Sequence, residues 1–173
     1  RARLAAMLTA DADLEVALHR AALLDPEADQ RTHALHVELD APDTSSLSRR
    51  HLVGRTPTVV LVHGFSLSLQ CWVLQRRALI HSGFRVVTYD QRGHGRSGQP
   101  ALENCTVAQL GRDLAAVMDA ACTSGPVVLV GHSMGGMTIM SLAEQRPDLF
   151  GSKIVGVALI ATTAGGLDPG RIL

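Results

Sequence analysis

The sequence predicts an α/β fold, a mostly parallel sheet with helices on both faces, and three observations predict it. Runs of strand length such as Val127-Val128-Leu129-Val130 are continuously apolar, as strands buried on both faces of a parallel sheet must be. These runs alternate with segments whose apolar residues recur at helical spacing. The polar residues capable of chemistry gather where the apolar runs end, and sheets of this kind bind ligands at the carboxyl ends of their strands.

Taken in order, residues 1–24 place Leu4, Met7, Leu8, Leu14, Ala17, Leu18, Ala21 and Leu24 at roughly helical spacing before Asp25-Pro26. This predicts an amphipathic helix packed outside the sheet. A partner-binding or membrane-surface helix is the alternative, disfavoured because its face carries as much acid as base. Leu35, Val37 and Leu39 alternate with His36, Glu38 and Asp40, the pattern of a half-exposed strand at a sheet edge. Residues 41–57, rich in Pro, Ser, Thr and Arg, read as a linker between this N-terminal part (1–40) and a core (58–173).

From Thr58 the pattern is regular. Thr58 to Val62 is a buried strand ending in His63-Gly64-Phe65, and residues 71–80 form a helix closed by Ser82-Gly83. Arg85 to Tyr89 is the next strand, followed by a loop from Asp90 to Gly98. Thr106-x-x-Gln109 has the form of a capping box. Val107, Leu110, Leu114, Val117, Met118 and Ala121 are the apolar stripe of the helix behind it. Gly125-Pro126 leads into the strand before Gly131, a helix runs from there to Arg146-Pro147, and Ile154 to Ile160 is a further buried strand.

The 173 residues suffice for one core, and a composition of 46% apolar and 18% charged residues is globular. Sixteen basic residues balance sixteen acidic ones, which leaves no basic field for nucleic acid or an anionic membrane. Cys71, Cys105 and Cys122 are odd in number and sit in or beside apolar stretches. They are expected to be buried thiols of a reducing, cytoplasmic compartment. No apolar run reaches membrane-spanning length and no signal-peptide pattern is seen, although a chain beginning at Arg1 leaves N-terminal targeting open. Oligomeric state is not legible.

The stretch richest in chemistry is Gly131-His132-Ser133-Met134-Gly135-Gly136, a Gly-x-Ser-x-Gly pattern between strand and helix. Such an order makes a sharp turn that presents the serine, so Ser133 is the candidate nucleophile; a merely glycine-rich turn is the plainer alternative. His63, His94 and His132 all end strands, but their spacings match no zinc pattern and no acidic pair accompanies them. They are expected to hydrogen-bond nearby loops. Gly93-x-Gly95-x-x-Gly98 imitates a dinucleotide fingerprint, yet Gln99-Pro100 prevents a helix from opening there. Trp72 is expected to be a packing residue.

His63-Gly64-Phe65, Tyr89-Asp90-Gln91-Arg92-Gly93-His94-Gly95-Arg96-Ser97 and Gly131 to Gly136, in this order, resemble the successive signatures of the α/β-hydrolase superfamily over about residues 57–166. The match is nearest to its esterase, lipase and cofactor-free peroxidase-like branch. The resemblance implies attack by Ser133 on an acyl carbonyl. The backbone N–H groups of Phe65 and Met134 would stabilise the resulting oxyanion. It also implies that His63, Gly64 and His132 border a small-molecule ester substrate, that Asp90 to Ser97 form a structural loop, and that no metal or organic cofactor is needed.

The superfamily's chain order continues with an acid and then a His. All eight His residues lie at or before His132. Asp148 and Asp168 are the Asp residues after Ser133; Asp168 is the candidate acid, and Asp148 is expected at the far end of the sheet. The chain is therefore expected to be the first part of a hydrolase, stopping after the strand that follows the elbow helix, and to be nearly inactive and marginally stable alone. Alternatives are a hydrolase-like binding protein without activity and a cofactor-free peroxidase or perhydrolase. An amidase, thioesterase or lactonase also fits, and a nucleotide-binding oxidoreductase is a more remote reading.

Overall fold

The computed structural model describes residues 14–17, by their backbone, together with residues 35–41 and 56–165. Among them are strands β1 (Leu14–Ala17), β2 (His36–Asp40), β3 (Thr58–Val62), β4 (Arg85–Tyr89), β5 (Val127–His132) and β6 (Ile154–Ile160). The helices are α1 (Val73–His81), α2 (Val107–Ala121) and α3 (Met134–Gln145). The strands form a sheet in the order β1-β2-β4-β3-β5-β6. The strands β4, β3, β5 and β6 run parallel, whereas β1 and β2 are antiparallel to their neighbours.

The parallel part follows from the sequence pattern. All five residues of β3 are buried, because β3 is the central strand and both of its faces are covered. On one face Val60, Val62, Val87, Tyr89 and Leu129 pack against Leu114, Val117 and Met118 of α2 and Ile139 and Leu142 of α3. On the other face Val59, Leu61 and Val86 pack with Trp72, and with Leu79 and Ile80 of α1. Trp72 is thus a core residue, as expected. Thr106 caps α2, accepting a 3.1 Å hydrogen bond from the Gln109 N–H. The reciprocal half of the expected capping box is absent, because the Gln109 amide turns instead to Asp113 at 3.1 Å.

The structure differs from the sequence reading at several places. Leu14–Ala17 is a strand, not part of a helix over 1–24; the rest of that segment lies outside the described residues. Here the tertiary context outweighs helical spacing, since pairing to β2 supplies the backbone hydrogen bonds. For the same reason β2 is not a sheet edge, being flanked by β1 and β4. Of the expected linker, residues 42–55 lie outside the described residues. The strand β6, expected to be buried, buries only Ile154 and exposes Val155, Val157, Leu159 and Ile160, because it ends the strand order. Val107, the first residue of the α2 stripe, is exposed. Cys122 is buried, but Cys71 and Cys105 are exposed, contrary to expectation. No helix among the described residues is long and apolar enough to cross a membrane.

Candidate active site

The parallel strands deliver their last residues to one end of the sheet: His63 from β3, Asp90 from β4, Ser133 from β5 and Ala161 from β6. Ser133 stands between β5 and α3 with φ 51° and ψ −117°, in the left-handed region that residues with a Cβ rarely adopt. Strain of this kind costs of order 1–3 kcal/mol and persists only where the surroundings impose it. Here the surroundings are close. A methyl group on Gly131 would meet the Gly135 carbonyl at 2.6 Å, one on Gly135 the Val62 oxygen at 2.1 Å, and one on Gly136 the Thr162 side chain at 2.5 Å. The three glycines therefore let α3 leave β5 at once and lie against β3 and the end of β6. The Ser133 N–H donates to Ile160 O at 2.9 Å, and its carbonyl accepts the Thr162 hydroxyl at 2.7 Å.

The loop after β3 reaches the same point. A methyl on Gly64 would come within 3.3 Å of Ser133 Cβ and 2.9 Å of His132 Nδ1, so both Gly64 and half-buried His132 lie beside the serine. Phe65 is 71% exposed, and its ring rests edge-on against His94 at 5.5 Å. Among the described residues, neither the Phe65 nor the Met134 N–H donates to a backbone oxygen. Met134 opens α3, where the helix dipole adds partial positive charge. Met134 follows Ser133 directly in the chain, and Phe65 follows Gly64, which lies beside Ser133.

His63 is a correction. It was expected to border substrate, but it is fully buried and both ring nitrogens are engaged. Nε2 accepts the Gln91 backbone N–H at 2.9 Å, and Nδ1 therefore carries the proton donated to Gly64 O at 2.8 Å. Burial, seconded by the nearby His94, lowers its pKa below the ordinary value, against the opposing pull of the Gly64 hydrogen bond and Asp90. The Gln91 side-chain amide donates to His63 O at 2.6 Å, and its oxygen accepts the Thr138 hydroxyl at 2.7 Å. Gln91 belongs to the Asp90 to Ser97 stretch that the resemblance makes a structural loop, but the sequence assigns it no individual role and does not single out Thr138.

The loop after β4 is structural, as expected. The nearly buried Asp90 carboxylate accepts the N–H groups of Leu69 at 2.7 Å and Arg96 at 2.9 Å, so one side chain holds the loops after β3 and β4 together. Arg92 forms a two-pronged ion pair with Asp113 of α2 at 2.5 and 2.7 Å. His94 Nδ1 donates to Arg92 O at 2.9 Å, which fits a loop-bracing role. Among the described residues no three His, Cys, Asp or Glu side chains converge as metal ligands would. Asp148 pairs with Arg146 just beyond α3, at the other end of the sheet from Ser133. Asp168 lies outside the described residues.

Residues 57–170 match the family model described as alpha/beta hydrolase fold. A putative carbamate hydrolase RutD from Caulobacter sp. (strain K31) is 41% identical over 98 residues, 57% of this chain and 36% of the relative. An epoxide hydrolase from Caballeronia sordidicola is 34% identical over 113 residues, 65% of this chain and 34% of the relative. The crystal structure of the enol-lactonase from Burkholderia xenovorans LB400 superimposes with a TM-score of 0.60 at 34% identity, covering 78% of this chain and 45% of that one. The chain spans about a third of the length of the curated relatives it matches. It belongs to the alpha/beta hydrolase fold family.

Proposed function

We propose that this chain carries the nucleophile and oxyanion site of a serine hydrolase that cleaves a carboxylic ester through an acyl-enzyme on Ser133. The observation that supports the reading is Ser133 held at φ 51° at the carboxyl end of the sheet, with Gly64 of the loop after β3 beside it and the Phe65 and Met134 N–H groups given to no backbone oxygen among the described residues. Attack by Ser133 Oγ on an ester carbonyl forms the C–O bond of a tetrahedral intermediate, whose negative oxygen the two N–H groups receive. Collapse expels the alcohol and leaves the acyl group on the serine; water then releases the acid. A general base must take the serine proton. No His follows Ser133 within these 173 residues, and His63 already spends both nitrogens, so the base is proposed to come from the remainder of the whole protein.

The enol-lactonase likeness supports ester cleavage, because a lactone is an internal ester. The carbamate hydrolase and epoxide hydrolase relatives define the competing substrates. The test is the protein expressed from its complete coding sequence, assayed against p-nitrophenyl esters, a carbamate and an epoxide, with fluorophosphonate labelling of Ser133. Ester turnover and labelling, both abolished by Ser133→Ala, are expected. Turnover of the carbamate or the epoxide without the ester would refute the substrate class, and activity surviving in Ser133→Ala would refute the nucleophile.

A further inference from the structure

The two donors proposed for the oxyanion come from separate segments, Phe65 from the loop after β3 and Met134 from the start of α3. They can act together only if those segments are held in register. A displacement of about 1 Å in a group that positions catalytic atoms can cost on the order of 10²-fold in rate. What holds them is a fully buried bridge: His63, Gln91 and Thr138 are each 0% exposed.

The bridge has one self-consistent hydrogen-bond assignment. The His63 carbonyl can only accept, so the Gln91 side-chain nitrogen must face it, at 2.6 Å. The Gln91 oxygen then accepts the single Thr138 hydroxyl proton at 2.7 Å, with Met134 O at 3.0 Å as its competing acceptor. Gln91 therefore ties the peptide two residues before Phe65 to Thr138, one turn into the helix that begins at Met134. Its backbone N–H adds a second tie through His63 Nε2, and His63 Nδ1 carries that tie on to Gly64 O. The first turn of α3 also packs closely on the Val62 and His63 carbonyls, and the amide adds directional bonds to that packing.

We propose that Gln91, acting through His63 and Thr138, is a positioning residue that sets the spacing of the Phe65 and Met134 N–H groups and so tunes transition-state binding without touching substrate. This rests on the serine hydrolase reading above. Glu at position 91 retains the acceptor for Thr138 but cannot, as a carboxylate, donate to His63 O; Leu removes both bonds at similar size. Thr138→Val removes the hydroxyl and Thr138→Ser keeps it.

The experiment measures kcat, KM, the Ki of a trifluoromethyl ketone that mimics the tetrahedral adduct, and the melting temperature, all on the protein from its complete coding sequence. For Gln91→Leu, Gln91→Glu and Thr138→Val, kcat is expected to fall about 10- to 100-fold, less than the roughly 10²- to 10³-fold loss of a whole oxyanion donor. KM stays unchanged, and ketone affinity falls by the same factor as kcat. Thr138→Ser is expected to keep the wild-type values. Should Gln91→Leu fail to fold, Gln91→Glu and Thr138→Val carry the same test. Lower melting with unchanged kcat and ketone affinity would overturn the proposal, leaving Gln91 a structural residue. A wild-type protein that neither turns over ester nor labels at Ser133 would instead overturn the serine reading, and the positioning role with it.

Discussion

Gly135→Ala isolates the packing on which the elbow depends. Gly135 is the second residue of α3, and an added Cβ would fall 2.1 Å from Val62 O, 2.7 Å from Val62 C and 2.8 Å from His63 O. Two effects compete. Alanine is preferred over glycine in a helix interior by about 1 kcal/mol, and less near an end. Against this, the added methyl meets the backbone of the central strand, which cannot yield without disturbing its ladders to β4 and β5. Relief requires α3 to lift by about 0.9 Å, from 2.1 Å to the 3.0 Å below which real Cβ contacts are essentially never found. Overpacking of this kind typically costs about 1–3 kcal/mol, occasionally more. The lift also loosens Ile139 and Leu142, both about 1% exposed. The clash wins. A net loss of about 1–3 kcal/mol corresponds to a Tm lower by about 2–12 °C for a chain of this size. The matched control is Gly151→Ala, where φ is 84° but nothing lies within 4 Å, so only left-handed strain of about 1–2 kcal/mol applies. Circular dichroism melts and fluorophosphonate labelling of Ser133, at a temperature where all forms are folded, provide the readouts. Both substitutions lower Tm, but only Gly135→Ala slows labelling. A Gly135→Ala protein that melts and labels like wild type would refute the argument that the glycine is there to seat the helix on β3.

Three further expectations follow from the same packing. Arg92→Leu strands the Asp113 carboxylate in a nearly dry site and should cost about 3–5 kcal/mol in urea unfolding, with most of it recovered by adding Asp113→Leu. His63 has a folded-state pKa below its unfolded value, so the unfolded chain binds the extra proton first as pH falls. Stability should therefore rise with pH through the window below 6.5 and level off above it, and His63→Asn should flatten that slope in unfolding measured across pH. Burial pushes the Cys122 thiol up to about 11, so iodoacetamide at neutral pH should modify exposed Cys105 in the native protein and Cys122 only once urea unfolds the chain.

Much of the scaffold was legible in the chain because its signals are local. The strands Thr58–Val62, Arg85–Tyr89 and Ile154–Ile160 follow from β-branched apolar runs, and α2 from its stripe and its Thr106 cap. The strand-turn-helix about Ser133 follows from glycine placement, since only glycine leaves room where strand and helix nearly touch. The misreadings share a cause: they concern which neighbours an element has. Helical spacing at Leu14 and Ala17 gave no hint of pairing to β2, and an alternating pattern at Leu35 to Leu39 could not reveal strands on both sides. An apolar run at Ile154–Ile160 could not show that its outer side lacks a neighbour among the described residues.

The site divides in the same way. By itself the sequence determined that Ser133 stands at a tight strand-to-helix turn, because Gly-x-Ser-x-Gly is a short-range geometry, whereas the roles of the Phe65 and Met134 N–H groups came only from the family resemblance. Only the tertiary structure decided that the His63 ring is fully buried, that Gln91 bonds both its Nε2 and its carbonyl, and that Thr138 donates in turn to the Gln91 oxygen. Those three residues are 28 and 47 positions apart along the chain. They meet because parallel strands carry their carboxyl ends to one place, where each buried polar atom must find a partner across the sheet.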